Sequence, residues 1–258
     1  MKKISVMIFG CSLGLAVQAQ SVIDTLSGDL SRYTTTLVND TSDGAGQGVS
    51  FTSSASGLQA NYVGTGTAPE QAVFLAPASS FGTVFGVGDT LYVNTGMAQT
   101  SVQEDFGLAI SATATPTPAG AANYNTRPTF DWTSISLRPS GTQPNIRVNT
   151  SISGTVTTSG GAANITSVAD VSELFITWNS ADSFTLGYIY NGVSTTDETV
   201  TFASGSAIGT AIGFYGDLRA TGTSLGDFTD LTIVPEPSTV ALCGLGLIGL
   251  VFLPRRKQ

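Results

Sequence analysis

Two apolar segments, one at each end, limit what can fold here to the stretch between them. Near the C-terminus, Val234-Pro235-Glu236-Pro237-Ser238 leads into an apolar run from Thr239 to Leu253, closed by Pro254 and Arg255-Arg256-Lys257-Gln258. Proline cannot continue a helix or donate to a sheet ladder, so this break separates the folded part from the apolar run. As a helix, about fifteen residues reach only roughly 22 Å, short of a hydrocarbon core of about 30 Å. The basic Arg255, Arg256 and Lys257 resist translocation and stay cytoplasmic. The expectation is a C-terminal transmembrane helix, marginal as a span, with the bulk of the protein outside. At the other end, Lys2-Lys3 precede apolar residues from Ile4 to Val17, and Val17-Gln18-Ala19 offers the small residues that signal peptidase reads. This predicts a secretory signal peptide, residues 1–19, cut after Ala19. A lipobox reading of Ile8-Phe9-Gly10-Cys11 fits poorly, because Phe9 is wrong for the box and the apolar character runs on past Cys11.

Residues 20–233 remain as one exported domain. The only cysteines, Cys11 and Cys243, lie outside it, so it has neither disulfide nor thiol chemistry. It holds seventeen acids against five arginines (Arg32, Arg127, Arg138, Arg147 and Arg219), a net charge of −12, with no lysine and no histidine. Such a surface is repelled by nucleic acid and by anionic lipid. Without His, Cys or Lys there is no Ser-His-Asp triad, thiolate nucleophile, Schiff base or ordinary zinc site. Carboxylate chemistry is what survives: an acid pair for glycoside hydrolysis, or a site for a hard cation.

The domain is rich in Thr, Ser, Gly, Val and Ala, in short alternating runs broken by turn residues, which predicts an all-β, two-sheet antiparallel sandwich. Phe184, Leu186, Tyr188 and Tyr190 fall on one face at period two, and Asn191-Gly192 then predicts a two-residue hairpin. With a strand at 173–178 and a return at 193–202, the stretch from about 172 to 202 reads as a meander. Further strands are expected at 48–53, 58–63, 72–76, 90–94, 106–112, 130–138, 145–152, 212–215 and 228–234, with no amphipathic helix of more than two turns. The Ala/Thr/Pro-rich stretch from Ala112 to Pro128 reads as a surface excursion of one domain in preference to a linker between two.

The C-terminal layout of Pro235-Glu236-Pro237, a glycine-containing apolar run with Gly244, Gly246 and Gly249, and the basic cluster Arg255-Arg256-Lys257 resembles the PEP-CTERM sorting signal of exosortase substrates (residues 234–258). The resemblance implies processing by a membrane-embedded exosortase after signal peptidase has acted. It also implies export through the inner membrane of a Gram-negative bacterium, a transient membrane anchor, and delivery to the cell surface or extracellular matrix. More loosely, an opening Leu26–Thr34 and a closing Gly226–Ile233, with Gln103–Leu108 between, resemble concanavalin A-like and laminin-G-like jelly rolls, in which the first and last strands lie side by side.

Three groups of residues are candidates for a site. Adjacent Glu104 and Asp105 form an acid pair, but neighbours on a strand point to opposite faces and cannot jointly flank one glycosidic bond; Asp197-Glu198 has the same defect. Asp40 and Asp43, in an Asn39–Gly44 loop, together with Asp227 and Asp230 supply oxygen ligands that suit a structural Ca²⁺, although no cofactor is required. Trp132, Tyr188 and Tyr190 offer flat rings for stacking on a sugar. The reading is a non-enzymatic surface or matrix protein, structural or adhesive in a polysaccharide layer. The alternatives are a carbohydrate-binding module using a concave sheet face, and a glycan-cleaving enzyme using a carboxylate pair from distant strands.

Overall fold

A strand with apolar residues at every second position has one face to bury, and two sheets of such strands bury theirs against each other. The computed structural model describes residues 20–39, 48–63, 70–100, 103–116, 130–140, 144–159, 165–219 and 222–235. The signal peptide with Ala19, the Asp40/Asp43 loop, Glu236, Pro237, the apolar run and Arg255, Arg256 and Lys257 lie outside the described residues. Among the described residues no helix is long and apolar enough to cross a membrane.

The strands are β1 (Ser21–Asp24), β2 (Thr34–Asn39), β3 (Gly48–Ser54), β4 (Gly57–Val63), β5 (Glu70–Pro77), β6 (Thr90–Asn94), β7 (Asp105–Ser111), β8 (Trp132–Arg138), β9 (Asn145–Ile152), β10 (Thr155–Ser159), β11 (Val171–Ser180), β12 (Ser183–Tyr190), β13 (Val193–Thr201), β14 (Ala211–Leu218) and β15 (Ser224–Val234). They build two antiparallel sheets. The first runs β13-β12-β11-β6-β15-β4-β3, with β1 also on β15; the second runs β10-β9-β8-β7-β14-β5-β2. Strand β15 is shared along its length: Ser224–Phe228 pairs with β4, and Thr229–Val234 pairs with β6. Beside that second half lies β1, with Ser21 opposite Ile233, so the first and last strands are neighbours.

The meander is present as β11, β12 and β13. Its Asn191-Gly192 turn has φ of 50° and 75°, the left-handed pair that a two-residue hairpin matched to strand twist requires. Ser153-Gly154 makes the same turn between β9 and β10, with φ of 49° and 81°. Strand β8 starts at Trp132, two residues later than the apolar pattern suggests: Phe130 lies before the first rung of the ladder and packs on the same apolar cluster as Trp132. Strands β7 and β8 pair directly, from Phe106 opposite Leu137 to Ser111 opposite Trp132, so the chain from Ala112 to Asp131 connects neighbours within one sheet. Residues 20–235 accordingly gather into one unit.

The interior is lined by alternate residues of both sheets. A row of rings crosses it: Tyr33 stacks on Phe74 at 4.6 Å, Phe74 on Phe51 at 4.8 Å, and Phe106 on Phe228 at 4.2 Å. Phe51 and Phe228 belong to the first sheet and Phe74 and Phe106 to the second, so each of the last two stacks joins the layers. At one side the layers are also tied by Ser159 of β10, whose hydroxyl donates to the Glu198 carboxylate of β13. Gly107 marks where strands leave no room. A Cβ there would lie 2.0 Å from the Ile135 carbonyl oxygen and 2.3 Å from Ser136 Cα. Gly107→Ala must therefore push β7 from β8, at a cost of about 1–3 kcal/mol, and urea titration should show a lower midpoint with an unchanged slope.

Candidate functional site on the outer face of the second sheet

The residues of the second sheet that alternate with the core set point to its other face, and that face is filled. Val73 and Leu75 of β5, Ala109 of β7, Trp132 of β8, and Ala211 and Tyr215 of β14 form a second apolar cluster there, with Ala114 and Phe130 packed on it. Trp132 and Tyr215 stack at 5.2 Å and both are fully buried. The ends of the 112–131 connection thus close onto the sheet instead of standing away from it. Of the other aromatic candidates, Tyr188 is 2 % exposed inside the main core. Tyr190 is half-buried, and its hydroxyl meets Thr166 at 2.9 Å. The three rings lie on two strands in separate sheets, and the structure does not bring Trp132 together with the two tyrosines.

Beyond the apolar cluster the same face turns polar. Asp105 of β7 and Asp217 of β14 are directly opposed across the ladder, each 1 % exposed. Arg138 grips Asp105 in a fork, Nε to Oδ1 at 2.7 Å and Nη2 to Oδ2 at 2.9 Å, and Arg147 Nη1 adds a third bond to Oδ2 at 3.2 Å. Asp217 accepts from Gln71 Nε2 at 2.9 Å and from Arg219 Nε and Nη2 at 3.3 and 3.2 Å. Three of the five arginines of the domain are committed to this pair. A buried carboxylate is tolerable only with such partners, and a fork of two N–H groups is the strongest available. The less well-held acid carries the strain: burial first, then the facing Asp105 charge, push the Asp217 carboxyl up against the pull of Arg219 and Gln71. Glu104 serves a different partner, its Oε1 accepting from the Arg219 backbone N–H at 2.8 Å.

Read from the sequence, Asp105 pairs only with its chain neighbour Glu104. The residue it faces in the fold, Asp217, is over a hundred positions away, and nothing local announces it. The one available signal is composition: in a domain this acidic, each of five arginines has carboxylates to choose from. Between the two clusters sit Ser134 and Asn149, also directly opposed. Both are buried, and Ser134 Oγ and Asn149 Nδ2 find no hydrogen-bond partner among the described residues.

Of the acids considered for calcium, Asp227 and Asp230 are described, and each is engaged by different neighbours. Asp227 (φ 62°) and Asp230 (φ 52°) sit at two register shifts of β15, in the left-handed backbone that Asp tolerates better than most residues. Asp227 Oδ1 accepts from Ser56 Oγ at 2.9 Å and Gln59 Nε2 at 2.8 Å, whereas Asp230 Oδ2 faces Asn94 Nδ2 at 3.2 Å. Among the described residues no group of three His, Cys, Asp or Glu side chains converges to hold a metal.

Two measurements test the roles of these groups. Arg138→Met leaves Asp105 buried with one exposed-side partner and should cost about 3–5 kcal/mol, while Arg147→Met should cost nearer about 1 kcal/mol; denaturant midpoints compare them. For Asp217, the folded chain holds the proton more tightly than the unfolded chain, so ionisation costs stability as pH rises above the ordinary value of 3.8. Asp217→Asn should therefore melt higher than the parent at pH 7, and the gain should vanish as the pH falls below 3.8.

Comparison with known proteins bears on the two parts of the chain separately. Residues 234–257 match the PEP-CTERM protein-sorting motif. No curated protein matches the chain in sequence. Among solved structures, a legume lectin-like domain from Entamoeba histolytica superposes with a TM-score of 0.51 at 8 % identity, covering 81 % of this chain and 92 % of that one. A carbohydrate binding module, CBM66 from Bacillus subtilis, gives 0.38 at 10 % identity, with 80 % and 92 % covered. A glycoside hydrolase family 16 endo-glucanase from Bacteroides ovatus gives 0.44 at 8 % identity, with 83 % and 99 % covered. The chain thus carries a PEP-CTERM sorting motif behind a two-sheet sandwich with the fold of a legume lectin-like domain.

Proposed function

We propose that this is an exported protein that an exosortase sorts to the cell surface or extracellular matrix, where its sandwich plays a structural or adhesive role in a polysaccharide layer. The motif at residues 234–257 carries the reading, since such signals mark proteins exported and processed at the membrane in Gram-negative bacteria. Signal peptidase removes residues 1–19, the apolar run from Thr239 holds the chain in the inner membrane, and cleavage near Pro235-Glu236-Pro237 frees the sandwich. Replacing Pro235, Glu236 and Pro237 by alanine should leave a membrane-retained, unprocessed species in the producing bacterium, detected by size and fractionation. Processing at the parental rate would refute the reading.

A non-catalytic role fits the acid pair. A glycosidase needs one carboxyl free to donate a proton and another free to attack or to activate water. Both oxygens of Asp105 are already bound by arginine, and neither Asp105 nor Asp217 is open to solvent. Reducing-sugar assays on mixed β-glucans and on the producer's own polysaccharide should give no product. Activity abolished by Asp105→Asn or Asp217→Asn would overturn this.

Binding without cleavage is a second reading, favoured by Ser134 and Asn149. Ser134 Oγ and Asn149 Nδ2 are opposed, buried and without hydrogen-bond partners among the described residues, while Asn149 Oδ1 accepts from Thr158 Oγ1, and such unpaired groups suit a hydroxyl-bearing guest or water. Adhesion through this face predicts that Asn149→Ala weakens retention on a polysaccharide column. Retention unchanged by Asn149→Ala assigns adhesion to another surface.

A further inference from the structure

The chain enters and leaves the sandwich at one end, and that end carries a rigid apolar tip. Ser21 lies opposite Ile233, and Val234 lies opposite Thr90, the first residue of β6. The residues just before Thr90 therefore extend beyond the last rung of the ladder, beside the path of Pro235. They are held there firmly. The Gly88 N–H donates to the Trp178 carbonyl, the Trp178 N–H donates to the Asp89 carbonyl, and buried Phe85 packs on the Trp178 ring at 5.3 Å. The Gly86 N–H donates to Asp89 Oδ2 at 2.8 Å, which ties the loop's own half-buried acid to the loop backbone. What this scaffold presents outward is Val84, 81 % exposed, and Val87, 61 % exposed. Of the five exposed large apolar side chains among the described residues, these two and Val22 of β1 lie at this end, while Val63 and Val193 lie at strand ends away from it.

We infer that the Val84–Val87 loop docks on the outer surface of the lipid bilayer while the chain awaits processing. This rests on the reading of the apolar tail as a membrane anchor. Three residues separate Pro235 from Thr239, and an extended chain spans at most about 3.6 Å per residue, so the anchor begins within roughly 14 Å of Pro235. The end of the sandwich holding Pro235 is thereby confined to the lipid surface, and the exposed large apolar side chains it offers there, among the described residues, are these valines. Two valines would bind weakly from solution. On a short tether they act at high effective concentration, so a small apolar area suffices. Docking fixes the orientation of the sandwich and holds the Pro-Glu-Pro segment at the depth of a membrane-embedded protease. Because the domain is strongly acidic, the attraction is apolar and should not weaken with added salt.

The test uses the full chain in phosphatidylcholine vesicles with Cys11→Ser and Cys243→Ser, and one new cysteine bearing a polarity-sensitive fluorophore at a time: Val84→Cys, Val87→Cys or Val193→Cys. Labels at 84 and 87 should emit to the blue of the label at 193 and be quenched severalfold more strongly by nitroxide lipids, at low and high salt alike. A chain labelled on its natural Cys243, with only Cys11→Ser, reports the anchor separately. If Cys243 is quenched by lipid while 84 and 87 behave like 193, docking is wrong and the anchor stands. If Cys243 is not quenched, the anchor reading fails and the docking falls with it.

Discussion

The burial of one apolar face of each sheet against the other is the interaction on which this structure depends. The folded part has no disulfide, no cysteine and no described helix longer than about a single turn, so nothing else can hold fifteen strands together. Aromatic stacking concentrates that burial: Phe51 on Phe74 and Phe106 on Phe228 join the layers through rings 4.8 and 4.2 Å apart. These contacts also set registry. A slip of one residue in β5 or β7 would turn Phe74 or Phe106 outward and bring Gln71 or Asp105 into the core.

With the interior closed in this way, the second sheet has a spare face, and its contents are already engaged with one another. Apolar residues fill one half, with Trp132 and Tyr215 stacked on each other instead of standing free for a sugar ring. The other half is an arginine-aspartate network in which the protein answers its own charges. Burying such a pair gives little net stability over an apolar replacement, although removing one member is costly. Its value is geometric: Asp105 and Arg138 fix β7 and β8 where Gly107 lets their backbones come close.

Much of the architecture was legible in the chain. Apolar runs located ten of the strands to within two residues, and Asn191-Gly192 announced its hairpin because few other pairs accept two consecutive positive φ values. Three strands escaped. Strand β10 (Thr155–Ser159) has no buried residue, and β1 has only four residues, none of them fully buried, so neither shows an apolar period. Strand β2 hides its pattern in three consecutive threonines. Strands β5, β14 and β15 ran longer than their apolar centres suggested, because Gln71, Asp217 and Ser224 are paired in the ladder by neighbours and not by their own hydrophobicity.

The sequence by itself determined the C-terminal sorting motif, the all-β character, the lack of histidine, cysteine and lysine between residues 20 and 233, and the Asn191-Gly192 hairpin turn. Each of these depends on residue type or on spacing within a few positions, which the chain carries openly. Only the tertiary structure decided which acids meet, that Trp132 is buried against Tyr215, and that Val84 and Val87 sit beside the exit of the chain. Those facts arise when strands far apart in the chain become neighbours, and the order in which strands join a sheet is set by global packing, which no local pattern encodes.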